Sequence, residues 1–129
     1  MTLFQIAAFY IALNIAMAPF MMVRVGKIRI RNKINLGDGG NDLLLSRIRA
    51  HGNFTENAPL ALIGLIALAM LQAHPIAIHV FGAAFFIGRV LHALGMAGVI
   101  SQGRLVGTVL TLLSYLGTAG FILFLVFTG

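Results

Sequence analysis

Three long stretches of this chain contain no Asp, Glu, Lys or Arg: residues 1–23, 57–88 and 105–129. A helix that spans a bilayer needs about 20 predominantly apolar residues, so the first and last stretches each suit one span. The middle stretch is too long for one span and is interrupted at Pro75, which ends one helix and can begin the next. The sequence therefore predicts an all-α integral membrane four-helix bundle, with 1–129 as a single domain. The expected spans are about 2–24, 43–72, 76–96 and 105–127.

Composition agrees with a membrane protein. The 129 residues are 60% hydrophobic, and their mean hydropathy is +1.00, which lies outside the range of soluble globular domains. Cysteine is absent, which excludes disulfides, thiolate metal sites and a cysteine nucleophile.

The distribution of positive charge predicts the orientation. All nine Lys and Arg residues fall in or beside two expected loops, 24–42 and 97–104, which four spans place on the same side of the membrane. By the positive-inside rule both loops are cytoplasmic and both termini are outside. The basic run from Arg24 to Lys33 directly follows a span, where it would attract anionic lipid headgroups. Nucleic acid is not an expected partner, because no recognition fold accompanies these charges.

Polar residues cluster at this same membrane level. Arg49, Asn53 and Glu56 are spaced i, i+4, i+7, so they share one helix face over about 10 Å. Arg89 and His92 share a face near the end of the next helix, and Arg104 opens the last one. Ionisable side chains within membrane helices usually mark a functional site. One reading is a cavity for a small zwitterionic or polyanionic ligand, since Arg recognises carboxylates and Glu56 can receive an ammonium.

A structural reading of the same residues stays open. Arg49 and Glu56 can form a buried ion pair between helices, while Arg89 and Arg104 can extend to lipid headgroups.

No catalytic or metal motif accompanies the cluster. The four histidines divide between the two membrane faces without metal-ligand spacing, so no metal site is predicted. The sequence lacks GxSxG, Walker A and dinucleotide-binding fingerprints, and Glu56 has no partner carboxylate. If the protein is an enzyme, a cosubstrate supplies its nucleophile.

The polar cluster resembles a known pattern. The run RAHGNFTENAP at residues 49–59 resembles the second-helix motif of the MAPEG family, membrane-associated proteins in eicosanoid and glutathione metabolism. The run GRVLH at 88–92 resembles the family's third-helix motif, and Arg104 lies where the family has an Arg that opens the fourth helix. The turn GDGG at 37–40 is similar to that of bacterial members, and this resemblance implies a location in a bacterial inner membrane. Length and expected topology agree, so the resemblance covers the whole chain.

The resemblance implies a homotrimer that holds glutathione between adjacent subunits near the cytoplasmic face. Arg49, Asn53 and Glu56 would then bind the charged ends and backbone of the tripeptide. Arg89 and His92 would contact it from the third helix, and Arg24 would reach a carboxylate. Arg104 would lie beside the sulfur, where a guanidinium favours the reactive thiolate. The second substrate would be a lipophilic electrophile or hydroperoxide that enters from the bilayer.

The chain also departs from the family pattern. Met96 and Thr108 stand where family enzymes often have Tyr, and Gly52 stands where some members have Arg. Three functions therefore compete. The leading one is a glutathione-dependent membrane transferase or peroxidase. The second is a non-catalytic scaffold that binds a lipid, glutathione or a protein partner. The third, a transporter, is disfavoured because the outer half offers no polar path.

Overall fold

A computed structural model describes residues 1–129 as four α-helices and no strands. The helices are α1 (Leu3–Asn32), α2 (Asp42–Met70), α3 (Pro75–Met96) and α4 (Gly103–Thr128). Each is long and apolar enough to cross a membrane. The predicted fold class, an all-α membrane four-helix bundle, is confirmed.

Local sequence features mark the starts of α2 and α3. The side chain of Asn41 accepts a hydrogen bond from the backbone N–H of Leu44 (2.9 Å), which caps α2. Pro75 occupies the first position of α3, where a missing N–H has no cost. The turn before α2 has positive φ at Gly37, Gly39 and Gly40, as glycine permits.

One boundary differs from the prediction. The expected loop 24–42 is helical as far as Asn32, so the loop is limited to residues 33–41. Charge alone does not break a helix. Basic side chains in the last turn stabilise a helix through its dipole, and Arg29 and Arg31 lie in the last turn of α1. Lys33 then ends α1 in the left-handed conformation. Arg29 also stabilises the loop, because its Nη1 donates a hydrogen bond to the carbonyl of Gly37 (2.8 Å).

Two pairs of consecutive helices pack most extensively: α3 on α4, and α1 on α2. Helices α1 and α4 do not contact each other, so α2 and α3 form the centre of the bundle. The two loops that carry or adjoin the positive charges, 33–41 and 97–102, lie at one end of the bundle, which we name the basic end.

Glycines bring α3 and α4 into backbone contact at the basic end. A Cβ added at Gly103 would lie 2.6 Å from the carbonyl oxygen of Leu91, and one at Gly107 would lie 2.5 Å from the backbone nitrogen of His92. Small residues permit this close approach of membrane helices. The contact fixes the start of α4, and with it Arg104, against the last turns of α3.

Candidate functional site

Arg89 is the most deeply buried charge of the bundle, with 2% of its surface exposed. Its guanidinium donates hydrogen bonds to Oδ1 of Asn53, to Oγ1 of Thr111 at 2.5 Å and to the carbonyl of Gly107 at 3.4 Å. It also lies over the ring of Phe85, 5.8 Å from the ring centroid. The cation is therefore held in one orientation by groups from three helices.

The charge of Arg89 is not neutralised by these partners. All three acceptors are uncharged oxygens, and Nε of Arg89 is buried without any hydrogen-bond partner. A buried cation without a carboxylate is costly in an apolar surrounding. The arrangement thus favours an anionic or strongly accepting group close to Arg89.

A cavity of about 290 Å³ lies beside Arg89, between α2, α3 and α4. Its wall is mostly polar, in contrast to the lipid-facing surface of the bundle. The hydroxyl of Tyr115 donates to the carbonyl of Asn57 (2.5 Å), and the amide of Asn57 donates to the carbonyl of Asn53 (2.7 Å). We name this space the Arg89 cavity; it is lined by Asn53, Asn57, Arg89, Thr108, Thr111, Leu112 and Tyr115.

The structure brings some of the predicted site residues together. Asn53 and Arg89 are hydrogen-bonded across α2 and α3. His92 is buried one turn beyond Arg89, and its backbone lies against Gly107 of α4. These contacts place the second-helix and third-helix motifs side by side.

Other predicted residues lie outside the cavity wall in a single chain. Arg49, Glu56 and Arg104 are exposed, and Arg24 lines a different cavity between α1 and α3. His92 does not line the Arg89 cavity either. Any ligand contact from these five side chains requires a ligand that extends beyond the cavity, or a second protomer.

Within a single protomer, the structural reading of the four charges agrees with only one of them. Arg49 and Glu56 are both exposed, so they do not form a buried ion pair within the protomer. Arg89 is enclosed by α2, α3 and α4 and does not extend to the bilayer surface. Arg104 alone matches that reading, since it is exposed at the basic end.

Sequence reasoning missed three residues of the cavity wall: Asn57, Thr111 and Tyr115. A signal for two of them was present, since Arg104, Thr108, Thr111 and Tyr115 follow each other at intervals of three or four on α4. This spacing places them on one helix face. A stripe of hydroxyl groups on an otherwise apolar helix indicates a polar surface that faces protein rather than lipid.

Two of the three departures from the family pattern, at Met96 and Thr108, lie in defined local surroundings. Met96 packs against the core cluster around Phe54 and Phe85 at the basic end. The hydroxyl of Thr108 donates to the carbonyl of Arg104 (2.8 Å), within its own helix. Neither position therefore supplies a phenol hydroxyl.

The charges around the Arg89 cavity suit an anionic ligand. Arg89 supplies a fixed cation, exposed Arg49 and Arg104 lie on flanking helices, and Glu56 is the single carboxylate on α2 beyond its first turn. Guanidinium groups bind carboxylates and stabilise thiolates.

No group of three or more His, Asp or Glu side chains has a geometry that could hold a metal ion.

Comparison with known proteins agrees with the resemblance seen in the motifs. The chain matches the MAPEG family over residues 7–124. It is 30% identical over 91 residues, 70% of either chain, to the protein named "Inner membrane protein YecN" of Escherichia coli strain K12. The counterpart of the same name in Escherichia coli O6:H1 matches equally. No solved structure matches the chain. The four-helix bundle, its polar motifs and the match over nearly the whole sequence show that this chain belongs to the MAPEG family.

Proposed function

We propose that this chain is a glutathione-dependent transferase or peroxidase of the bacterial inner membrane, acting on lipophilic electrophiles or hydroperoxides. The observation that carries the proposal is the buried, uncompensated guanidinium of Arg89, held by Asn53 and Thr111 at a polar cavity in a family generally associated with glutathione. A carboxylate of the tripeptide would supply the missing negative charge. The proposed location rests on the four spans and on the name of the relatives.

In this proposal the tripeptide extends from the Arg89 cavity toward the exposed charges. Arg49, Asn53 and Glu56 on α2 bind its charged ends and backbone, while Arg89 and His92 contact it from α3. Because Arg49 and Glu56 are exposed in one chain, an adjacent protomer of a homotrimer would cover the ligand and complete the site. A contact from Arg24 would come from that neighbour, since within its own protomer Arg24 lines another cavity.

Arg104 is the proposed catalytic residue. It is the second residue of α4, exposed at the basic end, and its backbone is fixed against α3 by Gly95 and Gly103. A guanidinium beside the glutathione sulfur lowers the pKa of the thiol and increases the thiolate fraction. The thiolate then attacks an electrophilic carbon and displaces its leaving group. With a hydroperoxide, the thiolate attacks the terminal oxygen, the O–O bond breaks, and the alcohol leaves after taking a proton from water. A second glutathione then reduces the resulting sulfenic acid, which gives glutathione disulfide and water.

The lipophilic substrate would reach the sulfur from the bilayer. The part of α4 that follows Arg104 exposes large apolar side chains, among them Leu105 and Val109. An apolar substrate partitions into the bilayer and can approach the site along this surface. This route leaves the charged tripeptide on the aqueous side of the site.

The proposal is tested by activity measurements on the purified protein in detergent. The substrates are glutathione with 1-chloro-2,4-dinitrobenzene, and glutathione with cumene hydroperoxide. We expect turnover with at least one of them, loss of that turnover in Arg104→Ala, and no change in the control Arg31→Ala, whose side chain is exposed at the end of α1. Turnover by Arg104→Ala at the wild-type rate would show that Arg104 is not the catalytic residue.

A second function, a non-catalytic scaffold that binds glutathione or lipid, is favoured by one observation. Neither Met96 nor Thr108 offers the phenol that family enzymes often have, and the Thr108 hydroxyl donates within its own helix. The scaffold predicts that glutathione binds, as measured by calorimetry, while the wild-type protein forms no thiolate and turns over neither substrate. The transferase predicts binding and thiolate formation together.

A further inference from the structure

A second cavity, of about 540 Å³, lies at the basic end between α1 and α3. It shares no lining residue with the Arg89 cavity. Its walls are apolar: Leu13, Met17 and Phe20 line one side from α1, while Phe86 and Val90 line the other from α3. A cavity of this size is typical of sites that bind small molecules or cofactors. We name this space the α1–α3 groove.

Two arginines are the only charged residues of the groove, Arg24 from α1 and Arg47 from α2. Nη1 of Arg47 is buried without a hydrogen-bond partner. The guanidinium of Arg24 lies over the ring of Phe20, 5.5 Å from the ring centroid, which holds it beside the apolar wall. A buried donor on a cation without an acceptor is costly, so the groove favours an anion at this end.

The groove has the length of one bilayer leaflet. About three helical turns separate Leu13 from Arg24, which is about 16 Å at 1.5 Å per residue. The hydrocarbon core of a bilayer is about 30 Å thick, so half of it is about 15 Å. The groove therefore extends from near the bilayer centre to the headgroup level, with its apolar wall along an acyl chain and its arginines at the headgroup.

We propose that the α1–α3 groove binds an anionic phospholipid, with one acyl chain between α1 and α3 and the phosphate held by Arg24 and Arg47. Guanidinium groups bind phosphate through charge-assisted, bidentate hydrogen bonds. The groove shares no lining residue with the Arg89 cavity. Arg24 is the one residue that also has a role in the proposed glutathione site, where it reaches the ligand of an adjacent protomer, whereas Arg47 belongs to the lipid site alone.

Charge favours a phospholipid over a second copy of the chain as the occupant. The chain carries nine Lys and Arg but only three Asp and Glu. Two of those carboxylates, Asp38 and Asp42, belong to the loop and the first residue of α2 rather than to an apolar span. Without a bound anion between the chains, a neighbouring protomer would thus bring further positive charge to Arg24 and Arg47, whereas a phosphate neutralises them.

The first test is native mass spectrometry of the delipidated protein titrated with dioleoyl phosphatidylglycerol or dioleoyl phosphatidylethanolamine. We expect phosphatidylglycerol to bind about tenfold more tightly than the zwitterionic lipid, and Arg47→Gln and Arg24→Gln each to abolish most of that difference. Arg31→Gln is the matched control, because Arg31 is exposed on the same helix and does not line the groove. Equal preference in Arg47→Gln and wild type would overturn the proposal.

The second test locates the lipid in the groove. Because the chain has no cysteine, Val90→Cys provides a single thiol in the wall. We expect phosphatidylglycerol to protect this thiol from a membrane-permeant maleimide, and glycerol 3-phosphate, which has no acyl chain, not to protect it. Equal protection by glycerol 3-phosphate, or a disulfide between the introduced thiols of two copies upon oxidation, would assign the groove to another occupant and overturn the proposal.

Discussion

Arg89 connects the three helices that form the polar cavity. Asn53 of α2 and Thr111 of α4 each accept a hydrogen bond from its guanidinium, and Phe85 lies beneath it. A lysine has a single ammonium on a flexible stem, which does not reproduce a planar fork with two fixed partners. The side chain is therefore suited by shape as well as by charge to its position.

Arg89→Lys is expected to weaken glutathione binding about tenfold, since charge-assisted hydrogen bonds contribute about 1.5–3 kcal/mol and the replacement retains only part of them. Isothermal titration calorimetry of the purified protein measures the change, with Arg31→Lys as a control at an exposed position of α1. An unchanged Kd in Arg89→Lys would remove Arg89 from the proposed site.

At this scale, the sequence predicted residues whose charge is unusual in a membrane and missed those whose chemistry is ordinary. Asn53 and Arg89 stood out because polar side chains are rare in spans, and the structure places them in contact. Tyr115 did not stand out, since Tyr is compatible with an apolar helix. Its hydroxyl is directed at the carbonyl of Asn57, a contact that depends on how α4 packs against α2.

At the scale of elements, the position of Arg104 depends on the backbone contact between α3 and α4. Gly107 lies against the carbonyl of Gly88 and the backbone of His92. Neither partner can move away by changing a rotamer, because both are main-chain atoms. Gly120 of the same helix has nothing within 4 Å of an added Cβ.

Gly107→Ala is expected to destabilise the bundle by about 1–3 kcal/mol, the usual cost of inserting a methyl group into a closely packed contact. Gly120→Ala is the control and should be neutral or slightly stabilising, since Ala is the better helix former. Thermal unfolding in detergent compares the two variants with wild type. A Tm of Gly107→Ala equal to that of Gly120→Ala would contradict the close α3–α4 contact.

The starts of α2 and α3 were predictable because local chemistry determines them. Asn41 caps one helix and Pro75 opens the other, and both features are visible in the sequence. The end of α1 was not predictable from charge, since Arg29 and Arg31 are compatible with a helix as well as with a loop. Arg29 stabilises the loop by binding the carbonyl of Gly37, a contact without a sequence pattern of its own.

At the scale of the whole molecule, charge distribution predicts orientation. The loops 33–41 and 97–102 share the basic end, and the turn between α2 and α3 carries no Lys or Arg. Positive loops stay in the cytoplasm, so both termini are expected outside. This orientation would place the proposed glutathione site on the cytoplasmic side.

A C-terminal fusion tests this orientation in a bacterial host. Alkaline phosphatase, which folds only outside the cytoplasm, should be active when fused after Gly129, and green fluorescent protein fused there should be dark. Fusions after Asn35, within the loop that follows α1, should give the opposite result. A bright fluorescent fusion after Gly129 would reverse the orientation.

The exposed polar residues of a single chain are the structural reason for proposing a homotrimer. Arg49, Glu56 and Arg104 are exposed in one chain. A polar site in a membrane protein must be shielded from the surrounding lipid. In the proposed homotrimer, a neighbouring protomer would provide that shielding and enclose the tripeptide. Neither the number of protomers nor the face they share could be predicted from apolar side chains, because such side chains pack equally well against lipid and against a second protomer.

The central claim is that this chain activates the thiol of glutathione, and ultraviolet difference titration tests it most directly. The purified protein is titrated with glutathione at a series of pH values while thiolate absorbance is recorded, for wild type, Arg104→Ala and Arg31→Ala. A free cysteine thiol has a pKa of about 8.5, and a neighbouring guanidinium lowers it.

We predict saturable thiolate formation near neutral pH in wild type and in Arg31→Ala. In Arg104→Ala the thiol pKa rises, so thiolate should appear only at higher pH although glutathione still binds. Absence of thiolate in wild type at saturating glutathione would contradict the account and would leave the family scaffold without thiol activation.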